Sequence, residues 1–508
     1  MALINRTMRF LFEQRMRRVR KAILHPHTVQ DGLLLQYIHQ NQHTEWGKEH
    51  DFRHIRDYGD FAKSIPVQDY DSLKPYIHRM MHGEKDVLWS GAVRWFAKSA
   101  GTSNDKSKFI PVTHHNLKSC HLRGTWDTGA LMYEARPNTT IFDGKMLVMG
   151  GSHQAFESFP RTRYGDVSAI MLANMPPVAN HIYRPSLDIA LMPNSEEKIE
   201  RMARGLIGED MRMIAGVPTW TVLLIRRILE ITGKSHILEV WPNLEAYVHG
   251  GVSFTPYRDQ FKQFIPKKDF IYWEIYNASE GYFATQGSPD TDDMLLLLNN
   301  GVYFEFLPEE EWGKEFKQAL PLEAVEVGKH YAPVITTNAG LWRYVPGDTV
   351  QFTSVHPYKI KVSGRTNQFI NAFGEEVMVA NTDKALAETC QMFDALVSDY
   401  TVAPIYFDRH GKGGHEWLVE FEKEPDDLEA FNFMLDTNLQ RINSDYEAKR
   451  YKGMAMNRLR LRLVPRGVFH SWLKSKGKFG GQSKVPRLAN HRKYVDEILG
   501  MTNTPFRG

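Results

Sequence analysis

The sequence predicts an α/β protein in two parts, a large mixed α/β N-terminal domain over residues 1–365 and a smaller α+β C-terminal domain over residues 366–508. Three observations carry that reading. At 508 residues the chain exceeds one average domain. A hydrophobic content of 42% with 12% aromatics supplies material for substantial cores. The texture also changes twice: from helical and polar to aromatic and strand-like after Ala246, and again after about Gly364.

Residues 1 to about 85 read as helical, interrupted at Pro66 and Pro75. In the first segment Ile4, Met8, Phe12, Met16, Val19 and Ile23 fall on one helical face. Glu13 is the only acid between Arg6 and Lys21. Such a stretch fits a transit peptide or a membrane-surface helix, but a helix docked on the body with solvated arginines is the stronger reading. No continuous apolar h-region precedes a small-residue cleavage site, which argues against a signal peptide.

A helix is predicted over 114–134, stopped by Pro137, and a short strand over 145–149 ending at Gly150-Gly151. Pro218 and Gly233 frame a helix over 219–231. Strands follow at 270–276 and 294–298. Asn299-Asn300-Gly301 predicts a hairpin into 302–306, and Asn338-Ala339-Gly340 a second one. In the C-terminal part a helix near 377–388 precedes strands at 401–407 and 416–421. The glycine-rich loop 408–414 between them reads as a hairpin turn, although its composition resembles a phosphate cradle. Residues 426–443 read as a helix. Arg458 to Leu463 alternate as a half-exposed strand whose arginines form a solvated face.

The formal charge of +3 calls for neither nucleic acid nor an anionic membrane as main partner. No apolar run is long enough to cross a bilayer. Cys120 and Cys390 are the only cysteines, so no Cys/His metal cluster can be built from them. They fit small buried hydrophobes in a reduced, cytoplasmic setting. The sequence leaves the oligomeric state open.

The densest chemistry lies in residues 98–108, Lys-Ser-Ala-Gly-Thr-Ser-Asn-Asp-Lys-Ser-Lys. Such a loop can turn backbone N–H groups and hydroxyls toward one anion, with lysines as point charges behind them. The G-x-x-x-x-G-K-[ST] spacing of a P-loop is absent, and an ordinary turn has the same composition. Four later stretches share this ambiguity: residues 276–281 (Tyr-Asn-Ala-Ser-Glu-Gly), 341–348 (Leu-Trp-Arg-Tyr-Val-Pro-Gly-Asp), 363–370 and 480–487. Taken singly, each also fits a turn, a hairpin corner or a surface loop.

Their order and spacing resemble the adenylate-forming superfamily of acyl-CoA synthetases and luciferases. Within it they most resemble the auxin-responsive (Gretchen Hagen) acyl-acid amido synthetases. That family's S-S-G-T-S-x-G-x-x-K is matched by Ser99 to Lys108, and its Y-x-x-S-E by Tyr276 to Glu280. Its Y-R-x-G-D is matched by Tyr344 to Asp348, and its Q-x-K-x-P-R by Gln482 to Arg487. Departures are Ala100 in place of serine, Asn104-Asp105 in place of a second glycine, Val345-Pro346 where arginine is usual, and no lysine in the hinge region around 373–377.

The resemblance implies ATP-dependent adenylation of a carboxylic acid, release of pyrophosphate, and acyl transfer to an amine, with an amino acid as the expected acceptor. An acyl-CoA ligase shares the first half-reaction, and a non-catalytic nucleotide or carboxylate binder keeps the fold. It further implies that Ser99, Gly101, Thr102, Ser103 and Lys108 hold phosphates, and that Tyr276 and Ser279 line the adenine and α-phosphate. Tyr344 belongs to the nucleotide-binding set, Asp348 takes the ribose hydroxyls and Arg365 sits near them at the hinge. Glu280 would hold Mg²⁺ through oxygen. Lys484, on a mobile C-terminal domain, would reach the reacting carboxylate on closure. The family's acyl pocket lies beside the helix bearing His115, Arg123 and Trp126.

Overall fold

A computed structural model describes residues 2–99, 108–193, 195–251, 254–312, 314, 316–366, 369–370, 375, 377–405, 413–450, 456–477, 485–489 and 491–502. The first helix, Ala2–Leu24, docks as its periodicity predicts. Phe12, Met16 and Val19 are buried, and Met8 and Ile23 pack at the margin. Arg15 reaches inward to the buried Asp127, with Nη2 2.9 Å from Oδ2. Pro75 does not interrupt the helix as predicted but lies inside Tyr70–Met81. Asp69 caps that helix by accepting from Ser72 N–H, and Leu73, Ile77, Met80 and Met81 are buried. Pro75 itself is on the exposed side, where water can take up the carbonyl it leaves unpaired.

The architecture is organised by a twelve-stranded mixed sheet. From one edge, Tyr183–Arg184, Lys145–Val148, Met211–Ala215, Ala246–Gly250 and Ile271–Asn277 run parallel. Tyr282–Gln286, Met294–Leu296, Tyr358–Arg365, Asp348–Val355, His330–Thr337, Val302–Pro308 and Leu320–Pro321 then follow antiparallel. Helices cover the parallel half, among them Pro218–Thr232, which is closed by Gly233 at φ +67° as predicted. The predicted 114–134 helix is present but carries a π-turn over Leu117–His121 before Leu122–Ala135.

The hairpin predicted at Asn299-Asn300-Gly301 does not form. Met294–Leu296 pairs with Tyr282–Gln286 and Tyr358–Arg365, whereas Val302–Pro308 pairs with His330–Thr337 and Leu320–Pro321. The buried Gln30 takes up part of the backbone that a hairpin would have paired. Its amide donates to Leu298 O at 2.6 Å and Val302 O at 2.9 Å, and accepts from Phe304 N–H at 2.8 Å. Backbone polar groups had to be satisfied, but a side chain could do it. The second predicted turn is present: Thr337 N–H donates to Leu341 O at 2.8 Å, and Gly340 takes φ +89°.

A separate four-stranded sheet, unforeseen in the sequence, joins Lys108–Val112, Trp95–Ser99, Phe159–Gly165 and His153–Phe156. The C-terminal part has its own three-stranded sheet, with Leu396–Ile405 antiparallel to Gly414–Lys423 and Arg460–Leu463 parallel to the latter. Most of the loop read as a hairpin turn between the first two lies outside the described residues. Two buried clusters within residues 370–498 are distinct from the main cores. The arginines of the 458–463 strand are not simply solvated. Arg462 Nε lies 2.6 Å and Arg460 4.0 Å from the buried Glu416, and Arg458 pairs with Glu429 at 2.6 Å. A buried carboxylate requires such partners.

Candidate nucleotide site

The chain leaves the last parallel strand at Asn277, and Ala278–Gly281 turn it back. Ala278 N–H donates to Gly281 O at 2.9 Å and Gly281 N–H to Ala278 O at 3.3 Å. Ligands of α/β sheets gather at such carboxyl ends of parallel strands. The turn holds Ser279 and Glu280 in buried positions, Glu280 only 6% exposed.

Two antiparallel strands bring the next residues opposite one another. Asp348 opens Asp348–Val355 and stands in register with Arg365, which ends Tyr358–Arg365. Residues in register on neighbouring strands share a face. Arg365 Nε lies 2.8 Å from Asp348 Oδ1, and Tyr276 Oη donates to Asp348 Oδ2 at 2.7 Å. Gly347 is at φ +94°, open to glycine at little cost, and its carbonyl accepts from Thr366 N–H at 2.8 Å. Tyr344 is fully buried, its hydroxyl without a hydrogen-bond partner among the described residues, within the field of Glu280, Arg365 and Asp348.

Lys108 completes the cluster. Burial holds its ammonium below the usual lysine range, opposed first by the charge of Glu280. Burial in turn pushes the Glu280 carboxyl up, opposed first by Lys108, while Asp348 adds repulsion. The Asp348 carboxylate pushes Arg365 up. Tyr276 is also raised, chiefly by burial and then by Asp348. Thus Lys108, Tyr276, Glu280, Tyr344, Asp348 and Arg365, dispersed over more than 250 positions, share one electrostatic neighbourhood.

Ser99 ends its strand in register with Lys108, so the two ends of the glycine-hydroxyl segment are fixed side by side. Gly101, Thr102 and Ser103 lie outside the described residues, as does Lys484. The C-terminal motif resumes at Val485. There Pro486 O accepts from Thr401 Oγ1 at 2.6 Å, and Arg487 pairs with Asp399 and stacks over Tyr400 at 4.5 Å. Arg487 therefore anchors residues 485–489 to the strand Leu396–Ile405.

Two supporting residues escaped the sequence reading. Tyr70 Oη accepts from Phe109 N–H at 2.8 Å, and Lys108 Nζ lies 5.7 Å from its ring centre. Arg343, at φ +46°, makes paired bonds of 3.0 and 2.8 Å to the buried Glu305 and also donates to Ala62 O and Ile65 O. A lone arginine within the apolar run Leu341-Trp342-Arg343-Tyr344 was the available signal, since a buried charge needs a partner. Arg123, by contrast, donates to Asn299 O at 3.0 Å, and Trp126 packs edge-on against Phe12.

Among the described residues no Lys, Arg or His stands within ion-pair distance of Glu280, whose carboxyl takes a hydrogen bond from its own backbone N–H. One buried carboxylate with phosphate oxygens beside it suits Mg²⁺, which keeps most of its waters. Among the described residues there is no cluster of three or more His, Cys, Asp or Glu side chains able to hold a metal by themselves. The donor set thus fits a cation arriving with a triphosphate.

The fold is that of adenylate-forming ligases. The 2-hydroxyisobutyryl-CoA ligase in its postadenylation state superposes with a TM-score of 0.58 at 12% identity, over 96% of this chain and 92% of that one. AtGH3.15 acyl acid amido synthetase, in complex with 2,4-DB, superposes with a TM-score of 0.80 at 17% identity, over 97% and 96%. The GH3 family N-terminal domain matches residues 15–270, the central domain 295–365 and the C-terminal domain 380–493, and the chain belongs to the GH3 family. Relatives from Arabidopsis thaliana include indole-3-acetic acid-amido synthetase GH3.4, 24% identical over 92% of this chain and 89% of that protein. The 4-substituted benzoates-glutamate ligase GH3.12 is 23% identical over 93% and 94%.

Proposed function

We propose that this protein is an ATP-dependent acyl-acid amido synthetase. It adenylates a carboxylic acid with release of pyrophosphate, then passes the acyl group to an amine, an amino acid, with release of AMP. The observation that carries this reading is the convergence of Glu280, Asp348, Arg365, Tyr276 and Lys108 at the carboxyl end of the parallel sheet. Membership of the GH3 family and the named activities of its relatives support it.

In this reading one acid oxygen attacks the α-phosphorus of ATP, and the bond from that phosphorus to pyrophosphate breaks. The amine nitrogen then attacks the acyl carbon, loses a proton, and AMP departs. Negative charge crowds the site in the first step, so fixed donors must be in place beforehand. Asp348 accepts the ribose hydroxyls through lone pairs that Tyr276 and Arg365 leave free. Ser99, Gly101, Thr102, Ser103 and Lys108 hold phosphate oxygens, Ser279 lines the α-phosphate and Tyr344 backs the nucleotide. Glu280 would hold Mg²⁺, which supplies charge neutralisation at the phosphates when bound. Lys484 neutralises the reacting carboxylate when residues 366–508 close on residues 1–365, and the protein works in the cytoplasm.

A matrix of acids crossed with amino acids and coenzyme A, scored for AMP and by product mass, tests this. Amide products with pyrophosphate release support it. Thioesters alone identify an acyl-CoA ligase instead, and no AMP with any pair identifies a non-catalytic binder.

A further inference from the structure

The chain-wide balance of +3 conceals a strongly uneven distribution. The helix Ala2–Leu24 carries six arginines and one lysine against Glu13, a local charge of +6, so the rest of the chain carries −3. Its inner face is accounted for: Phe12, Met16 and Val19 enter the core and Arg15 pairs with the buried Asp127, while at the exposed margin Arg20 pairs with Glu134. Its outer face is not. Arg6, Arg17, Arg18 and Lys21 are exposed and have no described carboxylate within ion-pair distance. Between them stand two large apolar side chains, Phe10 at 60% and Leu11 at 41% exposure.

At 100° per residue, Arg6, Phe10, Arg17 and Lys21 fall on one stripe, and Leu11 and Arg18 on the adjoining one. The apolar pair therefore lies within the cationic face and not opposite it. Solvation explains the arginines alone, but not a phenylalanine and a leucine held out among them. A flat anionic surface with an apolar interior satisfies both at once, through charge outside and shallow insertion of the ring and the branched chain.

We propose that the outer face of this N-terminal helix docks the protein on anionic lipid bilayers, with Phe10 and Leu11 inserted below the headgroups and Arg6, Arg17, Arg18 and Lys21 on the lipid phosphates. The helix remains packed on the protein body throughout. This attachment is peripheral: no described helix is long and apolar enough to cross a membrane. It is independent of the nucleotide site.

The test is co-sedimentation of the full chain with vesicles of mixed phosphatidylglycerol and phosphatidylcholine, and with phosphatidylcholine alone. Binding is expected only to the anionic vesicles and is expected to fall with salt. R17S/R18S should lower the partition coefficient about thirtyfold, from about 1 kcal/mol for each basic residue near such a surface. F10S/L11S should lower it about tenfold, from partial burial of two apolar side chains. Both changes lie on the exposed face, so an unchanged melting temperature shows that the variants are folded. Failure of the wild type to pellet with anionic vesicles overturns the proposal. So does equal binding to phosphatidylcholine, or binding by both variants as tight as the wild type. Retention of duplex DNA without vesicle binding would assign the face to nucleic acid instead.

Discussion

Tyr276→Phe removes one hydroxyl and tests how the nucleotide site is organised. Tyr276 Oη donates to Asp348 Oδ2 at 2.7 Å. A hydrogen bond to a charged group contributes about 1.5–3 kcal/mol. The lower end applies here, because Asp348 keeps Arg365 Nε at 2.8 Å and its side chain is 18% exposed, so water can occupy the vacated position. ATP affinity should therefore fall by about 1.5 kcal/mol, roughly tenfold, with the KM for the acid unchanged. Titration calorimetry with a non-hydrolysable ATP analogue measures the first quantity and AMP release the second. If Tyr276 acts by orienting Asp348, the change should have little further effect in an Asp348→Ala background, where the carboxylate is already gone. A full tenfold loss in both backgrounds would mean that Tyr276 contacts the nucleotide directly. Unchanged ATP affinity in Tyr276→Phe would refute the placement of the nucleotide at Asp348.

Lys484→Ala should slow adenylate formation by on the order of 10²–10³, read by ATP–pyrophosphate exchange; near-normal exchange rules out its role. Glu280→Gln should lose adenylation by a similar order yet stabilise the protein. Burial raises the Glu280 carboxyl, so the folded chain holds more protons than the unfolded one above the ordinary carboxylate range. Wild-type stability therefore falls relative to the variant as pH rises through that window, and the gain stays constant once Glu280 is fully ionised. Melting curves across pH check this, and a pH-independent difference counts against it. Arg343→Met leaves Glu305 buried without its partner and should destabilise by about 3–5 kcal/mol. The companion Arg343→Met/Glu305→Leu should recover most of that in denaturant unfolding, and equal destabilisation in both would show that packing and not charge is at stake.

The parts of the fold that could be read in advance are those dictated by local periodicity or a single punctuating residue. The docked helix carries its apolar face openly in sequence, and Gly233 ends a helix because only a left-handed residue closes it cheaply. What could not be read depends on partners distant in the chain. Asn299-Asn300-Gly301 has the chemistry of a hairpin turn, but nothing local reveals that Gln30 takes the backbone bonds of the flanking segments. Likewise Arg460 and Arg462 alternate like solvent-facing residues until Glu416 is placed beneath them. The candidate site was legible only as separated motifs, because each retains its own short spacing, and the described residues bring together Lys108, Tyr276, Glu280, Tyr344, Asp348 and Arg365. The ion pair of Asp348 with Arg365 was not, since it depends on the register of two strands.

That register bears on what the candidate site would draw from the C-terminal domain. Lys108 and Arg365 balance Glu280 and Asp348, so the quartet is close to neutral. A triphosphate brings roughly four negative charges at neutral pH, and the reacting carboxylate one more. A neutral quartet cannot neutralise them, although it can orient the ribose and hold one cation. In the proposed reaction further positive charge would come from a cation held at Glu280 and from basic residues outside the quartet. In sequence, residues 98–108 include Lys98 and Lys106, and Lys484 precedes the anchored Arg487 by three positions. On this argument a chain truncated after residue 365 should still bind adenosine and keep part of its preference for ATP through residues 98–108 and Glu280, but lose the share of that preference that the C-terminal segment would supply. If the truncated protein folds, shown by a cooperative melt, and still prefers ATP over adenosine as strongly as the full chain, the division of labour between the two parts is wrong.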